Sequence, residues 1–231
     1  MQVEIWSDIA CPFCYIGKRK FENALKDFDQ KDKVEITWRS FQLDPEMIVV
    51  PNQTVHEYLG KRKGTSTVEG KKMNDSMAAI ASEVGLEFNF DKAQINNTMD
   101  AHRVLHLAKK HGVQNEMKQA LFAAYYTDGK NTGDTETLVS VGETVGLNAV
   151  EIRKVLESDM YRNDVIADQE YAQQIGVQGV PFYVFNNKYA VSGAQPTAVF
   201  ADVLNKVWEE ENPAVEMLSA GATCTADGTC N

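Results

Sequence analysis

Where strand character falls along the chain narrows its fold more than any other feature. Alternating β-branched and aromatic residues occur at Val3-Glu4-Ile5-Trp6 and over Val34 to Leu43, and then not again until Phe182-Tyr183-Val184-Phe185. Between the first two runs, Phe21, Ala24, Leu25 and Phe28 recur at helical spacing, and Asp44-Pro45 closes the second run. The opening of the chain therefore reads strand, helix, strand, which suggests a parallel pair joined by a crossover. From about Val55 to about Gly176 helical patterns dominate: around Glu57-Tyr58-Leu59, then Val68 to Val84, Ile95 to Lys110, Gln114 to Tyr126, Thr135 to Val145 and Ala149 to Leu156. Gly85, Gly112 and Gly146 stand where C-terminal caps belong, and Asp134 and Asn148 where N-caps belong. A helical stretch from Ile166 to Ile175 ends at Gly176, and Pro181 heads the third strand. Asn186-Asn187 supplies a two-residue turn, Lys188 to Gly193 returns antiparallel, and a helix from Thr197 to about Glu211 closes the pattern. The expectation is an α/β chain of order β-α-β-α-β-β-α. A helical unit over 51–160 is set between segments 1–50 and 161–212, and a small-residue polar tail follows at 213–231.

The chemistry-bearing stretch lies at the first strand-to-helix turn, Asp8-Ile9-Ala10-Cys11-Pro12-Phe13-Cys14-Tyr15-Ile16-Gly17-Lys18. Pro12 suits the first helical position, because its missing N–H would have had no intrahelical partner. Free N–H groups and the helix dipole at that end favour a thiolate at Cys11. Cys14 is three residues on, on the same face, where it can resolve a mixed disulfide formed at Cys11. Three other readings compete. Half of a zinc site would have to be completed by Cys224 and Cys230, which are separated by five residues. Two inert buried cysteines would be oddly placed at a helix N-terminus. A static disulfide would close a loop of only two residues and constrain the unfolded chain little. Redox chemistry is the reading that uses every feature of the motif.

Composition bounds the partners. A formal net charge of −10 with no dense Lys/Arg cluster argues against nucleic acid and against anionic membrane surfaces. The start, Met1-Gln2-Val3-Glu4, has neither a basic nor an apolar signal region, so a cytoplasmic setting is expected, where cysteine pairs are more often catalytic than structural. Asp8 is a candidate proton relay for Cys14, with loop capping as the alternative. His102 and His106, four residues apart, could share a metal, but no third ligand is evident, and no metal is expected. Asn97, His102 and Arg103 read instead as a polar patch facing the thiol unit, fixing that interface or touching a small ligand.

The motif Ser7-Asp8 with Cys11-Pro12-Phe13-Cys14-Tyr15-Ile16-Gly17-Lys18, the strand end Phe41-Gln42-Leu43, the stretch Asn97 to Arg103 and Gly179-Val180-Pro181-Phe182 together resemble the FrnE-like group of the DsbA family, which has a thioredoxin fold. The resemblance covers nearly the whole chain. It implies a thiol–disulfide oxidoreductase with Cys11 as nucleophile and Cys14 as resolving thiol. It implies a cis-Pro181 beside them and Val180 pairing with substrate. Pro12 and Phe13 would add apolar contact. Phe13 lacks the hydrogen-bond donor of a histidine there, so the pair is expected to be less oxidising than in the strongest oxidants of the family. No cofactor is required, and glutathione is admissible as a partner alongside protein or small thiol and disulfide substrates, in a monomer or homodimer. Some FrnE-like proteins carry a second cysteine pair near the C-terminus, which suggests Cys224 and Cys230 as a second redox pair. Kappa-class glutathione transferases and 2-hydroxychromene-2-carboxylate isomerases share the architecture and supply a rival function, though they typically carry serine at the position of Cys11. A redox-regulated binding or chaperone-like protein is a second rival.

Overall fold

The structure is a computed structural model that describes residues 1–213. The expected second redox pair, Cys224 and Cys230, lies outside the described residues. The elements are β1 (Gln2–Ser7), α1 (Pro12–Lys26), β2 (Glu35–Ser40), α2 (Val55–Arg62), α3 (Thr67–Ser82), α4 (Met99–Lys110), α5 (Gln114–Phe122), α6 (Thr135–Thr144), α7 (Ala149–Leu156), α8 (Arg162–Gln174), β3 (Phe182–Phe185), β4 (Tyr189–Ser192) and α9 (Thr197–Glu211).

The strands form one sheet in the order β2-β1-β3-β4. β1 and β2 are parallel, with Ile5 opposite Trp38, and β3 runs antiparallel to β1, with Ile5 opposite Tyr183. Asn186 and Asn187 both take positive φ, 48° and 53°, which gives the β3–β4 hairpin its tight turn. Alternation along β1 sends Val3 and Ile5 to one face, where they meet Phe21, Trp38, Phe185, Phe200 and Leu204. Trp6 goes to the other, against Ala172 and Val177, and its indole N–H donates to the Asp168 carbonyl at 2.9 Å.

Helices α2 to α7 come between β2 and α8, so the sheet is interrupted by a large helical insertion. Its core, around Val104, Leu105, Met117, Leu121, Phe122, Tyr126, Leu138 and Ile152, also takes in Ile9, Cys11, Cys14, Tyr15 and Ile16. Helix α1 is thus buried on two sides: Phe21 and Ala24 face the sheet, whereas the thiol pair faces the insertion. Tyr15 fastens that contact, stacked on Phe122 at 4.8 Å between ring centroids, with its hydroxyl accepting from Gln119 Nε2 at 2.7 Å. Within the insertion, α2 and α3 meet where Gly60 and Gly70 carry no side chain. A Cβ at Gly70 would overlap the His56 carbonyl oxygen and stand 2.9 Å from Gly60 N.

Several boundaries depart from the sequence pattern, each for a local reason. The second strand ends at Ser40 rather than running to Leu43, because side chains take the next amides: Gln42 N–H donates to Gln169 Oε1 at 3.1 Å and Leu43 N–H to Asp8 Oδ2 at 2.8 Å. Helix α4 starts at Met99 rather than near Ile95, where Asn97 Oδ1 accepts from Met99 N–H at 2.9 Å in a local turn. The helix expected over Gln114 to Tyr126 widens after Phe122 into a π-helical turn over Ala123–Thr127, and both Tyr125 and Tyr126 are buried there. The stop glycines 85, 112, 146 and 176 all have positive φ, and Asp134 and Asn148 accept from backbone N–H groups of α6 and α7 as N-caps. No helix among the described residues is long and apolar enough to cross a membrane.

Candidate active site

Cys11 is the N-cap of α1, in extended conformation (φ −97°, ψ 110°), and Pro12 opens the helix. Cys14 follows on the first turn, its N–H donating to the Cys11 carbonyl at 3.0 Å. Both cysteines are free thiols, and both are buried, Cys11 with 3% of its surface exposed and Cys14 with none. The Cys11 thiol donates to the Val180 carbonyl at 3.5 Å, and the Val180–Pro181 bond is cis. Gly17 allows this approach: a Cβ there would stand 2.6 Å from Tyr183 Oη and 3.0 Å from Pro181 Cγ. Strand β1, helix α1 and the loop before β3 therefore converge on the two sulfurs.

Burial reverses one expectation. The helix N-terminus favours a thiolate, yet the Cys11 thiol is held well above its ordinary range. The hydrogen bond with the Cys14 side chain and loss of solvent are the main causes, the nearby Asp8 charge adds to them, and the Cys14 backbone N–H acts the other way.

Beneath the thiols lies a set of buried polar groups. Asp8 Oδ2 accepts from Leu43 N–H, and Oδ1 lies 3.3 Å from His102 Nε2, both side chains being almost fully enclosed. Burial alone would raise the Asp8 carboxyl, but His102 and the Leu43 amide hold it below the usual carboxylate value. Burial pushes His102 below 6.5, against the pull of Asp8, so it favours the neutral imidazole. Lys118 of α5 is fully buried. Its Nζ lies 3.4 Å from the Ser7 carbonyl oxygen and 4.9 Å from the Phe122 ring centroid, and burial lowers it to about 8. Cys14, Asp8 and Cys11 all pull that value back up by their charge. Sequence reasoning does not single out Lys118, although a signal exists: it falls on the apolar stripe of Met117, Leu121 and Phe122.

A cavity of about 530 Å³ opens beside Cys11, between the thiol end of the sheet and the insertion. Pro12, Phe13, Gly179 and Val180 border it on the thiol side, and Met47, Met73, Met77, Phe90 and Tyr125 on the insertion side. Phe13 is 45% exposed at this opening. Asn97, His102 and Arg103 do not form the single patch expected of them. Asn97 Nδ2 donates to the Pro45 carbonyl at 3.0 Å, and the residue lines a smaller neighbouring cavity of about 350 Å³ with Asp100 and Arg162. His102 lies behind Asp8. Arg103 is buried and caps the end of α7, donating to the carbonyls of Val155, Ser158 and Met160 and to Asp100. His102 and His106 bond to different carboxylates, Asp8 and Asp168.

A four-stranded mixed sheet with a dithiol at the start of its first helix, facing an X-Pro loop before the third strand, defines a thioredoxin fold with a helical insertion. Residues 2–205 match the DSBA-like thioredoxin domain, and the chain belongs to that family. Over its full length the chain is 38% identical to a probable DsbA oxidoreductase from Streptomyces coelicolor, covering 98% of that chain with a TM-score of 0.84. Two more distant structures share the fold alone. The cytosolic disulfide reductase DsbM from Pseudomonas aeruginosa is 15% identical, with a TM-score of 0.64 over 90% of this chain and 100% of that one. A 2-hydroxychromene-2-carboxylate isomerase is 13% identical, with a TM-score of 0.66 over 91% and 98%.

Proposed function

We propose that this protein is a thiol–disulfide oxidoreductase in which Cys11 attacks and Cys14 resolves. The observation that carries the reading is the pair of free thiols at the start of α1, with Cys11 at the wall of the cavity against Val180. In the oxidising direction for the protein, a Cys11 thiolate attacks a substrate disulfide and expels one thiolate. Cys14 then loses its proton, attacks the Cys11 sulfur and expels the second, so that one substrate disulfide is reduced as the dithiol is oxidised. The reverse sequence reduces the protein disulfide at the expense of two thiols. Pro12, Phe13 and Val180 supply the substrate contact, and Asp8 and Lys118 are buried groups whose charges interact with the sulfurs. Because Cys11 is held as the thiol, exchange is expected to accelerate as pH rises toward its titration.

The proposed setting is the cytosol, with a small thiol such as glutathione among the electron donors, by analogy with the DsbM fold relative. A transferase or isomerase that activates glutathione would need only one group at position 11 and would have no use for Cys14. The test is turnover of a reduced or disulfide-bonded substrate by wild type, Cys11→Ser and Cys14→Ser. Both variants are expected to lose exchange. A Cys11→Ser variant that keeps or gains glutathione-dependent activity on carbon substrates would overturn the reading. Cys224 and Cys230 are proposed to exchange electrons with the Cys11–Cys14 pair. Cys224→Ser/Cys230→Ser is then expected to slow turnover with a macromolecular reductant, and unchanged turnover and redox potential would remove that role.

A further inference from the structure

The cavity beside Cys11 has more shape than exchange of sulfur alone requires, and its lining identifies a substrate class. Cys11 sits at its wall with almost no exposure elsewhere, so a disulfide reaches the sulfur through this space. The volume, about 530 Å³, is in the range that encloses a small molecule. The wall opposite the thiol is flexible and apolar. Met47 comes from the loop after β2, Met73 and Met77 from successive turns of α3, and Phe90 and Tyr125 from beyond. Thioether side chains of this kind adapt to flat or ring-shaped groups and contact aromatic rings favourably.

The charge at the cavity is as informative. In a chain of net charge −10, the cations in the lining are Arg62 and Lys63, at the end of α2. Arg62 is committed to Asp44, the Leu43 carbonyl and Tyr58 Oη. Lys63 is exposed, and its side-chain ammonium has no ion-pair or hydrogen-bond partner among the described residues. Asp44 is paired with Arg62, and the fully buried Asp8 carboxylate has the Lys118 ammonium as its nearby opposite charge, so a ligand anion in the cavity finds Lys63 as the free cation of the lining.

We propose that this cavity selects low-molecular-weight disulfides, and the corresponding thiols, that combine a ring-sized apolar body with a carboxylate. The apolar body packs on Met73 and Met77, the carboxylate pairs with Lys63, and the sulfur lies at Cys11. The inference rests on the exchange reading for turnover but not for binding. In the reaction, one aromatic disulfide and the protein dithiol give the protein disulfide and two aromatic thiols; each thiolate expelled is balanced by a proton released from Cys11 or Cys14.

The experiment compares three disulfides on the reduced full-length chain: an aromatic disulfide with carboxylates, 5,5′-dithiobis(2-nitrobenzoate); an uncharged aromatic one, 2,2′-dithiodipyridine; and bis(2-hydroxyethyl) disulfide, which is small and hydrophilic. The readout is the ratio of kcat/KM values, in which the intrinsic reactivity of each reagent cancels between wild type and variant. Met77→Glu is expected to lower the ratio of aromatic carboxylate to hydroxyethyl disulfide by about tenfold or more, the loss of one well-packed apolar contact. Met73→Glu, at an exposed position that does not endanger folding, is expected to shift it the same way by a smaller factor. Lys63→Glu is expected to raise KM about two- to fivefold for the carboxylate reagent, relative to dithiodipyridine. Ratios unchanged in all three variants, or a higher kcat/KM for hydroxyethyl disulfide than for either aromatic in the wild type, overturn the proposal. Binding separates it from the exchange reading: Cys11→Ser/Cys14→Ser should bind the non-reactive thioether 4-(benzylthio)benzoate saturably, and Met77→Glu in that background should weaken it. Binding without wild-type turnover sinks the exchange reading and keeps the cavity assignment; no binding sinks the assignment.

Discussion

Replacing Lys118 by methionine should make this protein more stable near neutral pH, although it deletes a buried polar contact. An ordinary lysine titrates at 10.5, whereas burial holds Lys118 at about 8. At about 1.4 kcal/mol per pH unit, keeping the ammonium inside the fold at neutral pH costs about 3 kcal/mol relative to the unfolded chain. The pull of Cys14, Asp8 and Cys11 is already included in that net figure. Methionine has similar length and no charge, and leaves the Ser7 carbonyl oxygen, now 3.4 Å from Nζ, without that donor, at a cost of about 1 kcal/mol. The expected gain is therefore about 2 kcal/mol near neutral pH. The sign of the pH dependence is fixed as well. The folded value lies below the unfolded one, so the unfolded chain binds more protons between about 8 and 10.5, and wild-type stability rises with pH across that interval. The methionine variant lacks this rise, and its advantage shrinks toward the alkaline end. The assay is urea unfolding at several pH values in a Cys11→Ser/Cys14→Ser background, which removes thiol titration from the same range. A less stable methionine variant near neutral pH, or a methionine advantage that does not shrink as pH rises, would refute the reasoning.

Further outcomes follow from the same geometry. Asp8→Asn removes a charge that raises the Cys11 thiol, so thiolate absorbance should develop at lower pH than in wild type; equal titrations in the two proteins would disconnect that charge from the sulfur. Because the Asp8 carboxyl is held below 3.8 in the fold, its contribution to stability is present above that value and is lost as pH falls through the lower folded one; the acid limb of the urea midpoint should be shallower in Asp8→Asn. Gly70→Ala forces a Cβ into the backbone of α2, so it should lower the unfolding free energy by about 2 kcal/mol, and an unchanged midpoint would mean that the two helices part freely.

The parts of this structure that were legible in the sequence are those set by short-range periodicity. Alternation in Val3 to Trp6 and Phe182 to Phe185, the Asn186-Asn187 turn, the glycine stops and the Cys-Pro-Phe-Cys turn each declare themselves within a few residues. The strand order and the helical insertion then follow from few alternatives. The cavity could not be read this way, since its wall is gathered from α1, α2, α3, four loops and the π-helical turn, segments separated by up to most of the chain. Arg103 illustrates the limit differently. Its place beside His102 in sequence suggested a shared patch, yet one residue along a helix is about 100° of rotation, and Arg103 turns to cap α7 while His102 turns to Asp8.

The acidity of Cys11 departs from what its helix-terminal position favours, for a reason that bears on function. A helix N-terminus lowers a thiol's titration when the sulfur is open to water, but here the insertion covers the sulfurs and desolvation acts with the neighbouring thiol in the opposite direction. The same helices that suppress the thiolate also build the apolar wall at Met73 and Met77 and bring Lys118 beneath the pair. Covering the dithiol therefore exchanges intrinsic reactivity for selectivity. A substrate that fills the cavity gains the contacts its ring can make, while one that merely carries a disulfide meets a protonated, enclosed sulfur. Because the thiolate fraction multiplies the rate with every disulfide, both rates should climb as pH rises toward the Cys11 titration while their ratio, set by contacts in the cavity, stays level. Measuring the aromatic-to-hydroxyethyl ratio across pH tests it, and a ratio that collapses as the rates climb would show that the cavity contacts do not set the selectivity.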